Sequence, residues 1–194
     1  MHMGFFSFGK KKETRERMLV IHIGSASVAA SCIETVDGFS NIIAGASFDI
    51  AVLHEVSHER LEAEMAQALE HALSSIAQLH LPPPNRIHVF LASPWFASQS
   101  RVARMTRATP FIVSKSLVSD MIARELKAFE EEVMVSAHEA GTPLRAIESK
   151  TLAARLNGYL EANPLGQSAR ELELSIFLSV APEHTLARIE EAIR

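Results

Sequence analysis

Residues 18–34 read MLVIHIGSASVAASCIE, two apolar strand-like runs joined by a glycine and a serine. Gly24 has no Cβ, so the backbone there can turn tightly and approach a ligand closely. Ser25 adds a hydroxyl group, and backbone N–H groups exposed at such a turn can hold phosphate oxygens. The stretch therefore predicts a β-hairpin with a weak phosphate-binding site at Gly24 and Ser25. An ordinary hairpin turn without a ligand is the alternative, because a single Gly-Ser pair between apolar strands is common.

The composition indicates a globular chain without a disulfide framework. Hydrophobic residues make up 47% of the 194 residues, enough for one large domain or two small ones. The formal net charge of −4 argues against nucleic acid as a partner, because phosphate contacts need clustered Lys and Arg. Cys32 is the single cysteine and fits a small buried residue in a reducing compartment. No apolar run is long enough to cross a bilayer and no cleavable signal is evident, so we expect a cytoplasmic chain.

Residues 1–17 form a basic aromatic tail that is predicted to be disordered. Its aromatic and basic residues are Phe5, Phe6, Phe8, Lys10, Lys11, Lys12, Arg15 and Arg17. Aromatic rings favour the headgroup region of a membrane, and each nearby cation adds about 1 kcal/mol of attraction to an anionic surface. We therefore expect a weak peripheral contact through residues 4–17 at the inner face of the cell membrane. A solvated tail without membrane contact is the alternative.

The residues that follow the hairpin predict an α/β layer. Residues 41–50 and 86–93 read as strands, and residues 58–80 between them read as a helix. The helix has apolar residues at three- or four-residue steps: Leu61, Met65, Leu69, Leu73 and Ile76. Three strands, a helix and a returning strand are typical of α/β folds.

A motif of zinc metalloproteases precedes this helix, since residues 54–58 read HEVSH and match H-E-x-x-H. The chemistry needs both His54 and His58 on one helix face, where they bind zinc while Glu55 activates water. Ser57 is instead typical of an N-cap that opens the following helix, which would leave His54 in the preceding loop. A zinc metalloprotease is therefore the least favoured function, and we predict no metal site.

The second half of the sequence predicts a smaller α+β subdomain. Ser114 can cap an amphipathic helix, residues 144–159 read as a strand, and Asn163 to Gly166 form a turn. The next strand has apolar residues at alternate positions: Leu172, Leu174, Ile176, Leu178 and Val180. A final helix opens at Pro182 and turns three apolar residues inward: Leu186, Ile189 and Ile193.

Residues 156–182 read LNGYLEANPLGQSARELELSIFLSVAP and resemble the FtsA family, where a Gly-Tyr strand, an Asn-Pro-x-Gly turn and a Leu-Glu-rich strand run in succession. In that family the segment belongs to a small subdomain inserted into the first actin-like domain, and the related pilus-assembly protein PilM carries a shorter version. The resemblance covers nearly the whole chain from Met18. It implies half of an actin-like, ribonuclease H-like α/β domain over residues 18–108, followed by the inserted α+β subdomain over residues 109–194.

Two departures from the family limit the activity that the resemblance implies. His22 stands where actin-like ATPases carry the aspartate of an Asp-x-Gly-Thr motif, and Ser27 stands where many relatives have lysine. A neutral imidazole is a poor ligand for Mg²⁺. The sequence also ends at Arg194 without a second phosphate motif, so one wall of the nucleotide cleft is expected to be missing. We therefore predict no catalytic residue and no cofactor; ATP and Mg²⁺ become relevant only if a longer native chain completes the site.

The function implied by the resemblance is recruitment in bacterial cell division. In FtsA relatives the inserted subdomain contacts other division proteins and neighbouring FtsA molecules, so residues 109–194 are the expected partner surface, for division proteins or for a second copy. A PilM-like role in type IV pilus assembly is the alternative. Other candidates are weak: Arg101, Arg104 and Arg107 read as exposed charges, and Trp95 reads as either a partner anchor or a core residue.

Overall fold

A computed structural model describes residues 14–51, 57–136 and 143–194. Over these residues, two sheets and three helices confirm the predicted α/β class. The chain divides into two compact units, Met1–Leu91 and Ala92–Arg194. The elements, in chain order, are β1 (Arg15–Ile23), β2 (Ser27–Val36), β3 (Phe39–Asp49), α1 (His58–Ala77), β4 (Arg86–Leu91), β5 (Ala97–Ile112), α2 (Lys115–Ser136), β6 (Leu144–Leu156), β7 (Tyr159–Leu160), β8 (Ser168–Pro182) and α3 (Glu183–Ile193).

The first unit contains a four-stranded sheet in the order β3-β2-β1-β4. The strands β1, β2 and β3 form an antiparallel meander, and β4 returns parallel to β1. A parallel neighbour needs a crossover connection, which α1 supplies between β3 and β4. This order matches the predicted α/β layer of three strands, a helix and a returning strand.

Helix α1 lies against β2 and β3. Its N-cap is Ser57, as predicted, because the Ser57 hydroxyl accepts a hydrogen bond from the Arg60 N–H at 3.3 Å. Of the predicted apolar stripe, Met65 and Leu69 are buried, and the other three members are half-buried: Leu61, Leu73 and Ile76. His54 and Glu55 of the H-E-x-x-H motif lie outside the described residues, and α1 begins only at His58.

The second unit contains an antiparallel sheet in the order β5-β8-β6-β7, with α2 against three of its strands. The Ser114 hydroxyl accepts from the Leu117 N–H at 3.1 Å, which confirms the predicted cap of α2. Strand β8 is central, and its alternation is confirmed by five side chains that are at most 1% exposed: Leu172, Leu174, Ile176, Leu178 and Val180. Helix α3 follows Pro182 and buries Leu186 and Ile189.

Two predicted boundaries differ from the structure. The division expected between residues 108 and 109 falls inside β5, which pairs with β8 from Ala97 to Ile112, so the second unit begins at Ala92. Residues 15–17, which were predicted to belong to the tail, are part of β1, which begins at Arg15. Arg17 pairs with Glu34 on β2, with Nη2 and Oε1 2.7 Å apart, and this ion pair ties the end of the tail to the sheet. Within the described residues, no helix is long and apolar enough to span a membrane.

Candidate functional site

The predicted hairpin is present, and its turn lies between β1 and β2. The Gly24 N–H donates to the Ser27 carbonyl oxygen at 2.9 Å, which closes the turn. A Cβ added to Gly24 would lie 3.1 Å from that oxygen and 3.3 Å from Cε1 of His22. The φ angle of Gly24 is not in the left-handed region, so its backbone conformation does not require glycine. The close approach of Ser27 and His22 requires it, because these residues leave little room for a Cβ.

This geometry limits what the turn offers to a phosphate. Gly24 is buried and its N–H is already bonded inside the turn, whereas Ser25 is exposed. The Ala26 carbonyl oxygen accepts from the Ile50 N–H at 2.8 Å, which anchors the turn to the end of β3. Phosphate binding at Gly24 and Ser25 stays a prediction, with the Ser25 hydroxyl as the more accessible of the two groups.

His22 occupies the end of β1 on the sheet face opposite the buried residues. It is exposed, and it lies in register with Ala29 on β2 and Phe90 on β4. An imidazole there offers no oxygen ligand to a magnesium ion. In the part of the chain that the structure describes, no group of three or more His, Cys, Asp or Glu side chains is placed to hold a metal.

The second unit has a groove of about 660 Å³ beside β6 and β7, which we call the β6–β7 groove. Three of its leucines are exposed to a large extent: Leu152 by 55%, Leu160 by 72% and Leu165 by 55%. Its lining residues are Val118, Thr151, Leu152, Ala153, Ala154, Leu160, Glu161, Ala162, Pro164, Leu165 and Leu174. Concave apolar surface of this kind is typical of binding sites.

A tight Asn-Gly turn joins the two strands, β6 and β7, that contribute to the lining of the groove. Asn157 and Gly158 join β6 to β7 with φ values of 50° and 85°, a conformation that suits these two residue types. The Asn157 side-chain oxygen accepts from the N–H groups of Arg170 and Glu171, at 2.9 and 3.1 Å. These bonds tie the turn to β8, so the β7 wall of the groove is held in place.

The Asn-Pro-Leu-Gly turn forms the next part of the groove. Gly166 has a φ of 81°, and its N–H donates to the Val113 carbonyl oxygen at 2.8 Å. Glu161 is the one carboxylate of the lining, and the Asn163 N–H donates to its Oε1 at 2.9 Å. That bond, followed by one from the Gln167 side chain, lowers the pKa of Glu161. A leucine-rich groove with one acidic group results.

The arginines of β5 are occupied by partners within the second unit. Arg101 is bonded to Glu125 and Glu132 of α2, and Arg104 to Glu173 of β8, at 2.8 to 2.9 Å. Arg107 lies over the Phe111 ring, 5.1 Å from its centroid. Because the three arginines already have these partners, the contacts favour their predicted role as strand charges over a role in binding phosphate.

Two further residues have the buried positions expected of them. Cys32 is buried, and burial raises the pKa of its thiol. Trp95 is 1% exposed, which favours the core residue among its two predicted roles. Sequence reasoning missed the β6–β7 groove, although the Asn157-Gly158 pair is a turn signal that could have located the hairpin of β6 and β7, whose strands contribute to its lining.

Of three comparisons with known proteins, only that with solved structures gives matches. No family model matches the chain, and no curated protein does. Among solved structures, it is similar to an Aquifex aeolicus PPX-GPPA enzyme, with 22% identity over 40% of this chain and 27% of that chain and a TM-score of 0.33. A Ppx/GppA family member of Aquifex aeolicus matches with 20% identity and a TM-score of 0.31, and the match covers 40% of this chain and 26% of that chain.

A third structure, described as the type II variant of the Aquifex aeolicus Ppx/GppA phosphatase, gives 22% identity, coverages of 39% and 26% and a TM-score of 0.31. The chain thus spans about a quarter of the length of these structures.

Proposed function

We propose that the chain is a recruitment module of the FtsA type in cell division, whose partner surface lies within residues 109–194. Its partners are other division proteins and a second copy of the chain. In this proposal the first unit is a scaffold and nucleic acid is not a partner. No nucleotide is hydrolysed, and no cofactor is held.

The β6–β7 groove is the observation that carries this proposal. Its exposed leucines surround a concavity of about 660 Å³ in the unit that contains the FtsA-like segment. Apolar side chains that remain exposed around a concave surface favour a protein partner over bulk water. The Asn157 side-chain oxygen accepts a hydrogen bond from the Arg170 N–H, and the Gly166 N–H donates to the Val113 carbonyl oxygen. These bonds hold the turns beside the groove in place, so little conformational entropy is lost when a partner docks.

The proposal that no nucleotide is hydrolysed is supported by the hairpin. His22 supplies no carboxylate for Mg²⁺, and the Gly24 N–H is bonded to Ser27. Calorimetric titration of the chain with Mg-ATP should show weak binding or none, and no phosphate release. A micromolar dissociation constant with turnover would contradict this part of the proposal. A longer native chain that completes the cleft would restore ATP and Mg²⁺ as ligands.

We also propose that residues 4–17 make a weak peripheral contact with the inner face of the cell membrane. The cations of this segment are not equally available, since Arg17 is paired with Glu34. Lys10, Lys11 and Lys12 would therefore provide most of the attraction. Cosedimentation with anionic vesicles should fall when these three lysines are replaced by glutamine. Equal cosedimentation of both proteins would contradict the contact.

A fluorescent fusion expressed in the source cell tests the proposed role. A division protein should concentrate at the division site in dividing cells. Foci at the cell poles would favour the pilus-assembly alternative instead. An even distribution through the cell, with the fusion intact and folded, would contradict both roles.

A further inference from the structure

We propose that the outer edge of β6 pairs with the same edge of a second copy of this chain, antiparallel and centred on Ser149. The inference deepens the proposed binding role of residues 109–194 and rests on it. The two copies would join their sheets into one continuous sheet through a twofold interface.

The first observation is the unequal pairing of the two edges of β6. On one side β6 pairs with β8 from Leu144 to Leu156, and on the other side β7 pairs only with Arg155 and Leu156. Among the described residues, no strand covers the remaining outer edge up to Ala153. An edge of this length presents backbone N–H and C=O groups to another strand.

Bulges define which part of the edge is straight enough to pair. The register of β6 against β8 shifts between Ala146 and Glu148, and again between Thr151 and Ala153. The regular stretch between these shifts is therefore Glu148 to Thr151. The two bulged residues, Ile147 and Leu152, are 42% and 55% exposed. Bulges usually shorten an edge, so we expect a short ladder flanked by apolar contacts.

The charges on the regular stretch are complementary to themselves. Glu148 and Lys150 are two residues apart, so their side chains lie on one face of the sheet. Within the described parts of the chain, neither makes an ion pair. The other two charged residues of β6 are paired, Arg145 with Glu190 at 2.6 Å and Arg155 with Glu173 at 2.8 Å.

A twofold axis at Ser149 provides a partner for both charges. In an antiparallel pair centred there, Glu148 of each copy lies opposite Lys150 of the other, and this occurs twice. Opposite charges placed across neighbouring strands stabilise their pairing. Leu152 would lie opposite Ala146, and Ile147 opposite Thr151, which removes exposed apolar surface from water.

The self-complementary charge pattern favours a second copy over an unrelated peptide. A peptide of another protein would need its own Lys and Glu in the reverse order, whereas a second copy carries them by symmetry. The paired stretch is short and the flanking contacts are few, so the interface belongs to the weak, reversible class. The dissociation constant of the dimer should therefore lie in the micromolar range, so that the dimer forms and dissociates as the protein concentration changes.

Sedimentation velocity of the whole chain, from low micromolar to several hundred micromolar, tests the inference. The wild-type chain should shift from monomer to dimer over this range. Glu148→Lys and Lys150→Glu each place like charges opposite each other at both positions, and each should weaken the dimer by at least about tenfold. The combined variant Glu148→Lys/Lys150→Glu restores opposite charges and should return the dissociation constant to within about threefold of wild type.

Matched controls come from the exposed side of α2. Glu131→Lys and Lys127→Glu make the same changes in net charge at exposed positions of the helix and should leave the dimer unchanged. Hydrogen exchange gives a second measurement, since amides between Ala146 and Leu152 should become protected as concentration rises.

A chain that stays monomeric at every concentration would overturn the inference and leave the edge to another partner. A dimer that the single variants weaken but the combined variant does not restore would also overturn it. The experiments also distinguish failure of the edge pairing from failure of the proposed function. A fusion that is evenly distributed in cells while the purified chain dimerises contradicts recruitment alone, and a monomeric chain whose fusion reaches the division site contradicts the edge pairing alone.

Discussion

The two sheets differ in how completely their strands are covered. The inner face of β8 is enclosed, with five apolar side chains at most 1% exposed, because α2 lies against β5, β8 and β6. The residues of β4 remain exposed or half-buried, and Ile87, Val89 and Phe90 are 41%, 37% and 56% exposed. Helix α1 lies against β2 and β3 instead. The second unit thus encloses its core within the described chain, whereas the first leaves one apolar strand uncovered.

The largest expected effect comes from the same substitution in the two sheets. Ile176→Ala in β8 removes a side chain that is 0% exposed and should cost about 2–5 kcal/mol of the free energy of unfolding, through lost burial and the cavity left behind. Ile87→Ala in β4 removes a side chain that is 41% exposed and should cost about 1 kcal/mol. Urea unfolding curves of both variants measure this difference. Equal costs would mean that the two strands are equally covered in solution.

A smaller effect is expected at the hairpin of the first unit. Gly24→Ala places a Cβ 3.1 Å from the Ser27 carbonyl oxygen, and this backbone atom must shift, so the change should cost about 1–2 kcal/mol. Gly45→Ala on β3 is the control, because its nearest contact would be an ordinary 3.6 Å to the Ser31 hydroxyl oxygen. Thermal unfolding should show a lower Tm for the first variant only. An unchanged Tm for Gly24→Ala would show that the turn opens readily.

The smallest effect concerns the solvent-facing side of β8. Glu173 accepts from Arg104 and from Arg155, each at 2.8 Å, and these bonds, that of Arg104 first, lower its pKa from the ordinary 4.5. Because the folded-state pKa lies below the unfolded-state value, the stabilisation is present above about pH 4.5 and is lost as pH falls through the folded pKa.

Glu173→Gln should therefore lower stability at neutral pH and reduce its decline in acid, which urea unfolding at several pH values would measure. Glu171→Gln, on the same face of β8, is the matched control and should change neither quantity. If the free energy of unfolding declines equally in acid for wild type and Glu173→Gln, the ion pairs of Glu173 do not contribute to stability.

The strands that could be predicted from the sequence are those with a simple apolar pattern. In β8, every second residue from Leu172 to Val180 is apolar and points into one core, so the alternation alone identified the strand. The hairpin of β1 and β2 could be predicted for a similar reason, since its apolar runs flank a turn glycine. Helix α1 was predicted from its apolar spacing and its Ser57 cap.

The 16-residue strand β5 shows what the sequence pattern did not reveal. Its charged residues suggest exposed segments, and their partners are distant in sequence: Arg101 bonds to Glu125 and Glu132, and Arg104 to Glu173. Without those partners the strand could not be recognised as part of the second unit, and the boundary was placed inside it. Pairing between remote residues is not visible in local periodicity.

The same difference between local and remote residues applies to the candidate sites. The hairpin was predicted because Gly24 and Ser25 are adjacent in sequence. The lining of the β6–β7 groove comes instead from α2, β6, β7 with the residues that follow it, and β8. The resemblance pointed to residues 109–194 as the expected partner surface, but it could not locate a groove within them. The lining residues of the groove are distant in sequence, from Val118 of α2 to Leu174 of β8.

Two variants of the fluorescent fusion test the proposed division of roles, in which the second unit binds partners and the first supports it. Leu165→Glu charges the β6–β7 groove and Phe90→Glu charges β4, at side chains of nearly equal exposure, 55% and 56%. With both variants folded and equally abundant, we expect Leu165→Glu to disperse the fusion from the division site and Phe90→Glu to leave it there. Dispersal by Phe90→Glu, with Leu165→Glu still at the division site, would mean that the first unit carries the partner surface.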